Sequence, residues 1–169
     1  MIITLIGMPG CGKSTIGKKI AHNFNLQFVD SDTFIELKYK MTISSIFHTI
    51  GEVGFRKIEH IALIEILERY KNMVLSTGGG LPCFFNNMEL LNESGETIYL
   101  NLPSKALANR LFYSKKQRPL LKNKSEQEIQ VYIEKTLEER FSFYNQAKFM
   151  VDQLKNSPIK FIQENIFPK

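Results

Sequence analysis

Residues 7–15 read GMPGCGKST, a stretch that combines glycines with one lysine and two hydroxyl side chains. Gly7 and Gly12, followed by Lys13 and Ser14, match the spacing of a phosphate-binding loop. Glycines let consecutive backbone N–H groups turn towards phosphate oxygens, and a helix that begins there adds the positive end of its dipole. The lysine would reach the β and γ phosphates, and the serine hydroxyl would ligate Mg²⁺. The stretch therefore predicts a site for a nucleoside triphosphate.

Two aspartates, Asp30 and Asp32, follow a second apolar run in the sequence VDSD. Ligands of open α/β sheets bind at the carboxyl ends of the strands, which is where these carboxylates would lie. They are suited there to hold the water ligands of a magnesium ion or to accept a proton from a substrate hydroxyl. A second interpretation is that Asp32 only caps the following helix, and its position alone leaves both open.

A basic residue and an acidic residue, Arg56 and Glu59, lie three positions apart in GFRKIEH. On a helix this spacing lets the carboxylate hold the guanidinium in one rotamer, although taken alone it is more typical of a surface ion pair. Three glycines, 78–80, follow another apolar run in STGGG. Consecutive glycines at the edge of a sheet open the backbone to a bound ligand, so this segment is a second candidate binding element.

Short apolar runs alternate with amphipathic stretches along the chain, and this alternation predicts the elements that position the candidate residues. Each run is apolar enough for a strand that is buried on both faces. Strands that alternate with helices predict an α/β fold with a parallel sheet between layers of helices. The sequence TFIE at 33–36 has capping-box spacing for the second helix. The predicted strands are 2–6, 27–30, 73–77, 97–102 and 149–152, and the predicted helices are about 14–24, 33–38, 42–48, 54–70, 84–92, 104–112, 125–146 and 158–166.

The 169 residues, 43% hydrophobic and 23% charged, have the composition of one globular domain. No apolar run reaches the ~18 residues of a membrane span, and the first ten residues lack the features of a signal peptide, so we expect a cytoplasmic protein. Cys11 and Cys83 are too few for a disulfide framework and lack metal-pair spacing. We expect both to be free thiols.

The net charge of +5 is concentrated in one segment. Residues 110–124 carry six basic side chains and no acidic one, so the rest of the sequence has a net charge of −1. The segment is interpreted either as a solvated basic loop or as a mobile element that meets an anionic ligand. A charge confined to one segment argues against nucleic acid as the partner.

The phosphate-binding loop is shared by GTPases, motors, transporters and small-molecule kinases, so other features must identify the acceptor. The Asn-Lys-x-Asp motif by which a GTPase reads its base is absent from the sequence, and the chain length favours a small kinase. The set GMPGCGKSTIGKKIA, FVDSD, GEVGFRKIE, STGGG, RPLL, EERFSFYNQA and VDQLKNSP resembles the shikimate kinase family in order and spacing, over nearly the whole chain.

This resemblance implies a five-stranded parallel sheet of order 2-3-1-4-5 in a single domain, 1–169, with a mobile lid at about 112–124. It implies an enzyme that uses ATP and Mg²⁺ to phosphorylate the 3-hydroxyl of shikimate, on the route to chorismate and the aromatic amino acids. We expect a monomer and, from the charge distribution and the apolar runs, no nucleic-acid or membrane partner.

The resemblance also implies roles for individual residues on the substrate side. Asp32 matches the residue that contacts the substrate hydroxyls and serves as the base. Arg56 and Arg140 match the arginines that bind the shikimate carboxylate, with Glu59 orienting Arg56. The glycines that border the substrate ring are Gly78, Gly79 and Gly80.

On the nucleotide side, Asp30 matches the residue that binds Mg²⁺ through water, together with Ser14. Arg118 matches the lid arginine that closes on the phosphates during catalysis. Arg110 falls close to the position at which the family has an arginine that stacks on adenine. The full set implied for nucleotide binding is Gly10, Cys11, Gly12, Lys13, Ser14, Thr15, Arg110, Arg118, Lys155 and Pro158, with Lys13, Asp32 and Arg118 as the catalytic residues.

Two other functions are weighed against this one. Another small-molecule kinase of the same fold, such as gluconate kinase or a nucleoside monophosphate kinase, would share the phosphate loop and differ in its acceptor. A non-catalytic nucleotide-binding module, whose basic segment contacts RNA, would bind nucleotide without turnover. The paired arginines and the three glycines favour shikimate, and the set of Lys13, Ser14, Asp30 and Asp32 favours catalysis.

Overall fold

Parallel strands form one five-stranded sheet within residues 1–114, 121 and 124–168, the part of the chain that the computed structural model describes. The strands run in the order β2-β3-β1-β4-β5, so the predicted topology is confirmed. Their bounds agree with the predicted runs to within one residue: β1 (Ile2–Ile6), β2 (Gln27–Asp30), β3 (Met73–Ser76), β4 (Glu96–Asn101) and β5 (Phe149–Asp152).

Two interior strands, β1 and β3, are buried along their whole length. Strands that are buried on both faces are mostly apolar, which explains why these sequences do not alternate between apolar and polar residues. Asp30 pairs with Ser76, and Ser76 pairs with Leu5, so the carboxyl ends of three strands lie at the same level of the sheet. The segments that follow these strands therefore meet at one edge.

Helices pack against the sheet, and their bounds differ from the predicted ones mainly at the ends. The predicted helices 42–48 and 54–70 join into one long element that breaks at Gly51, whose φ of 67° and ψ of −179° are not helical. The helices are α1 (Lys13–Asn23), α2 (Ser31–Tyr39), α3 (Ile43–Arg69), α4 (Asn87–Ser94), α5 (Ser104–Phe112), α6 (Glu126–Tyr144) and α7 (Pro158–Asn165), with a 3₁₀ turn at Leu81–Cys83.

The predicted capping box at 33–36 is wrong, because α2 begins two residues earlier. Its N-cap is Asp30, whose carboxylate accepts a hydrogen bond from the backbone N–H of Thr33 at 3.3 Å. An aspartate in extended conformation at the end of a strand can satisfy the first turn of the helix that follows at once. Helix α2 therefore begins directly at the end of β2, and Asp32 lies in its first turn.

A main hydrophobic core fills the space between the sheet and the flanking helices. A smaller cluster lies under α2 and α3 and consists of Ile35, Ile46, Phe55 and Ala62. The helices that carry Asp32, Arg56 and Glu59 are therefore packed against each other by their own apolar contacts. Among the described residues, no helix combines the length and the apolar character needed to cross a membrane.

Candidate active site

The phosphate-binding loop turns from β1 into α1 through three glycines with positive φ. The φ angles of Gly7, Gly10 and Gly12 are 139°, 90° and 97°, in the region that L side chains rarely adopt. Gly12 is the N-cap of α1 and has no side chain that could occupy the amino end of the helix. The helix therefore presents unpaired backbone N–H groups at this end, which suits an anion.

Lys13 directs its ammonium back along this loop. Its Nζ donates to the carbonyl oxygens of Gly7 at 2.8 Å and Met8 at 3.0 Å, and the side chain is buried. Cys11 Sγ lies 3.8 Å from the same nitrogen. The positive charge is thus held against the backbone of the predicted phosphate site by three local acceptors.

Ser14 lies beside the carboxyl ends of two strands. Its hydroxyl donates to Asp30 Oδ2 at 2.7 Å and lies 3.2 Å from the hydroxyl of Ser76. These oxygen atoms are metal ligands of the kind that Mg²⁺ prefers. Within the described ranges no group of three histidine, cysteine or acidic side chains forms a metal cage. That agrees with the usual manner of Mg²⁺ binding, through one or two protein ligands, water and substrate phosphates, so the predicted pair fits the ion.

The other residues predicted to bind the nucleotide differ in how close they lie to the phosphate loop. Arg110, on α5, lies beside the phosphate loop, where its NH1 donates to the carbonyl of Cys11 at 3.5 Å. Lys155 is largely exposed and pairs with Asp152 at 3.7 Å, and Pro158 begins α7. Thr15 is exposed in the first turn of α1. Arg118 and most of the predicted lid lie outside the described residues.

Arg56 is one of the few buried charged residues, at 9% exposure, and acidic side chains hold it on two sides. Its NH1 donates to Glu59 at 2.6 Å, whereas NH2 and Nε donate to one oxygen of Glu52 at 2.9 and 3.3 Å. A guanidinium has five N–H donors, two on each terminal nitrogen. Among the described residues, one donor on each terminal nitrogen therefore has no partner, and such a pair of donors can bind a carboxylate bidentately.

Glu59 is buried with Arg56, so the surface ion-pair interpretation of this pair is wrong. Burial raises the pKa of the Glu59 carboxyl to about 7, with a further rise from the negative charge of Asp32, while Arg56 and Arg140 oppose the shift. A Cβ at Gly78 would lie 2.8 Å from Asp32 Oδ1 and 3.0 Å from Glu59 Oε1. Both carboxylates thus approach one point of the backbone, where only glycine leaves room.

The cap interpretation of Asp32 is also wrong, because Asp30 is the residue that caps α2. Asp32 instead lies next to Gly78, at the start of the glycine segment. The backbone N–H of Gly78 donates to Ser31 Oγ at 2.8 Å, which ties the glycine segment to the first turn of α2. Asp32 therefore lies where the first turn of α2 meets the glycine segment.

Arg140 approaches the same segment from α6. A Cβ at Gly79 would lie 3.3 Å from its NH1, and one at Gly80 would lie 2.7 Å from Arg56 NH1. One helical turn further on, the buried hydroxyl of Tyr144 donates to the carbonyl of Gly79 at 2.6 Å. The structure thus brings the predicted arginines and glycines together, as the sequence predicted for the substrate side.

The two halves of the site touch each other. A Cβ at Gly79 would lie 2.8 Å from Cδ of Pro9, which belongs to the phosphate loop. The glycine segment that Arg56 and Arg140 approach is therefore in contact with the phosphate loop, and Asp32 lies beside its first glycine. This arrangement suits phosphoryl transfer from a nucleotide to a hydroxyl of an anionic acceptor.

Several residues that shape the site were not predicted. Two of them follow helical spacing from predicted residues, since Glu52 lies four positions before Arg56 and Tyr144 four positions after Arg140. Ser31 and Ser76 reach Gly78 and Ser14 because neighbouring strands end at the same level, which no local sequence pattern predicts. The two thiols are free, as expected.

Comparisons with known proteins agree with this geometry. The family model described as shikimate kinase matches residues 9–168. A shikimate kinase of Azobacteroides pseudotrichonymphae is 48% identical over 99% of this chain and 98% of its own. The crystal structure of shikimate kinase from Bacteroides thetaiotaomicron superposes with a TM-score of 0.93 at 38% identity, covering 99% of this chain and 98% of that one. The structure of the Acinetobacter baumannii shikimate kinase in complex with shikimate has a TM-score of 0.85 at 33% identity, covering 99% and 94%.

Proposed function

The chain belongs to the shikimate kinase family of phosphotransferases, and from that premise we propose that it transfers the γ-phosphoryl group of ATP to the 3-hydroxyl of shikimate. The observation that carries the proposal is the convergence of Arg56 and Arg140 on the glycine segment 78–80, beside Asp32 and against the phosphate loop. Two guanidinium groups at one side of a phosphate site call for an acceptor that is itself an anion. A carboxylate that bears hydroxyls fits this description.

Recognition of the acceptor begins with its carboxylate. The remaining terminal N–H groups of Arg56 donate to it bidentately, and Arg140 adds a second positive charge. A planar guanidinium provides two parallel hydrogen bonds, which the ammonium of a lysine cannot do. This contact orients the ring so that one hydroxyl faces Asp32.

In the transfer step the oxygen of that hydroxyl forms a bond to the γ-phosphorus, and the bond from the γ-phosphorus to the β,γ-bridging oxygen breaks. Asp32 orients the hydroxyl and takes its proton as the new bond forms, and ADP leaves with the bridging oxygen. The reaction depends chiefly on position and charge, because phosphoryl transfer needs little covalent help from the protein.

The phosphate loop supplies the charge on the nucleotide side. The backbone N–H groups at the amino end of α1 and the Lys13 ammonium bind the phosphates, and Arg110 lies next to them. Ser14 and Asp30 would hold Mg²⁺, which neutralises phosphate charge when it is bound. Arg118, as a closing arginine of the lid, and the nucleotide contacts of Lys155 and Pro158 remain predictions from the sequence.

An assay of ADP release, coupled to a second enzyme, tests the function against its rivals. With ATP and Mg²⁺ present, we expect turnover with shikimate and background rates with gluconate and with nucleoside monophosphates. Faster turnover with gluconate or a nucleoside monophosphate would show that this compound, and not shikimate, is the acceptor. Nucleotide binding without turnover on any acceptor would favour the non-catalytic module.

We also propose that the protein acts as a cytoplasmic monomer, without nucleic acid or a membrane as partner. Light scattering coupled to size-exclusion chromatography tests the monomeric state, because a monomer has a mass of 19.5 kDa.

A further inference from the structure

We infer that Phe84 is a positioning residue for the acceptor carboxylate, acting through the face of the Arg56 guanidinium. The inference rests on the proposed function and extends it to a side chain that makes no polar contact in the site. The Phe84 ring lies 4.2 Å from Arg56 Cζ, measured to the ring centroid. This is well within the ~6 Å at which a cation over an aromatic face is attracted by the ring.

Phe84 differs from the other rings near the same cation. The centroids of Phe47 and Phe55 lie 5.6 and 5.5 Å from Arg56 Cζ, more than 1 Å further away than that of Phe84. The guanidinium is also largely removed from solvent, and a cation–π contact becomes stronger as the cation is desolvated. Phe84 therefore makes the closest aromatic contact to this cation among the described residues.

The loop that carries Phe84 is held tightly enough to place its ring. The next residue, Phe85, has a φ of 53°, and its ring stacks on His60 with centroids 4.9 Å apart. Buried Asn87 is linked to His60 Nδ1 at 2.7 Å and donates to the carbonyl of Leu81 at 2.8 Å. A bulky residue keeps a left-handed backbone only where its surroundings hold it there. His60 lies on α3, so the loop is fastened to the helix that carries Arg56.

The contacts to Arg56 divide between its edges and its face. Glu52 and Glu59 occupy donors along the edges, and these bonds alone leave the guanidinium plane able to tilt about them. The Phe84 ring on the face restricts that tilt, so the two remaining terminal donors keep one direction. A cleft of about 310 Å³, lined by Glu52, Val53, Arg56, Phe84 and Phe85, reaches the same group. Without the ring, water would enter there and weaken the charge interaction with a carboxylate.

The test compares Phe84→Leu and Phe84→Tyr with Phe24→Leu as the matched control, because the Phe24 ring stacks on Phe167 at the end of α1 that is far from the phosphate loop. Phe84→Leu keeps an apolar side chain but removes the aromatic face, so we expect the KM and the calorimetric Kd for shikimate to rise by about 3- to 30-fold. The KM for ATP, the kcat at saturating shikimate and the melting temperature should stay close to wild type. Phe84→Tyr should keep shikimate binding close to wild type, and Phe24→Leu should leave it within about twofold.

A double-mutant comparison decides whether Phe84 acts through Arg56. In an Arg56→Lys background the added loss from Phe84→Leu should largely disappear, because the planar face is gone. An equal loss in both backgrounds would mean that the ring contacts the substrate itself, which overturns the positioning role. An unchanged shikimate Kd in Phe84→Leu, or equal losses in Phe84→Leu and Phe24→Leu, would also overturn it. If wild-type protein showed no turnover of shikimate at all, the proposed function would fail, whatever Phe84 does.

Discussion

The phosphate loop lies in contact with the acceptor side of the site, which consists of Asp32, Arg56, Arg140 and the glycines 78–80. The two are formed by different kinds of group. The loop is one contiguous segment whose backbone forms the binding surface, and its lysine is held by carbonyl oxygens of that segment. The acceptor side is assembled from side chains on α2, α3 and α6 around a glycine segment. The first depends on local conformation, whereas the second depends on the packing of elements far apart in sequence.

The two sides also differ in how they hold charge. The Lys13 ammonium lies among three local acceptors in the loop. On the acceptor side Glu59 is buried next to Arg56, with Asp32 and Arg140 near enough to affect its pKa. Small changes of side chain should therefore disturb acceptor binding selectively, and changes in the loop should disturb phosphoryl transfer.

The largest effect is expected from Lys13→Ala. Loss of the ammonium from the phosphate loop should abolish phosphoryl transfer, while shikimate binding measured by calorimetry and the circular dichroism spectrum stay close to wild type. Lys19→Ala, at an exposed position of the same helix, is the matched control and should be active. Near-normal turnover by Lys13→Ala would remove the loop lysine from the mechanism.

Asp32→Asn should lower kcat by about 10²–10⁴, the usual range for loss of a general base. The substitution keeps the shape of the side chain, and Asp30 still caps α2, so the melting temperature should not change. The measurement is kcat at saturating shikimate together with thermal unfolding. Wild-type kcat in this variant would exclude Asp32 as the proton acceptor.

Arg56→Lys should raise the KM for shikimate by about ten-fold or more, because a charge-assisted bidentate contact is lost. The KM for ATP should stay near its wild-type value, which would separate the two sides of the site. Arg69→Lys at the exposed end of the same helix serves as the control and should behave as wild type. If the KM for shikimate did not change, Arg56 would not bind the acceptor.

The pH dependence of stability gives the smallest effect. The pKa of Glu59 is raised to about 7 in the folded protein from 4.5, so the folded state binds a proton that the unfolded state has released at pH values between these two. The contribution of Glu59 to stability is therefore present below pH 4.5 and is lost as the pH rises towards 7.

Glu59→Gln removes this titration and should flatten that part of the curve. Denaturant unfolding of both proteins at several pH values between 4.5 and 7.5 measures the difference in slope. Parallel curves for wild type and Glu59→Gln would contradict the raised pKa.

The same contrast explains how much of the molecule could be predicted from its sequence. The phosphate loop was predicted because its glycines, lysine and serine are adjacent, and the strand order followed from the resemblance to a known family. The start of α2 was not predicted correctly, because Asp30, Asp32 and Thr33 all have side chains that can cap a helix. Strand β2 ends at Asp30, so only Asp30 has the extended backbone of a cap.

The acceptor side was predicted in its residues but not in its environment. The spacing of Arg56 and Glu59 is the same in a surface pair and in a buried one. Their burial depends on Gly80 and Phe84, which lie more than 20 positions further along the chain and approach only through the tertiary fold. Local sequence patterns carry no information on such a contact.

The most direct test of the acceptor site compares shikimate with its primary carboxamide, which has nearly the same shape but no charge. The measurement is kcat/KM of the wild-type protein for each compound in the ADP-release assay, with ATP and Mg²⁺ held constant. Because the amide nitrogen would place its own donors against those of Arg56 and Arg140, we predict a loss of at least about 100-fold for the carboxamide. Equal kcat/KM values for the two compounds would contradict a site built to bind a carboxylate.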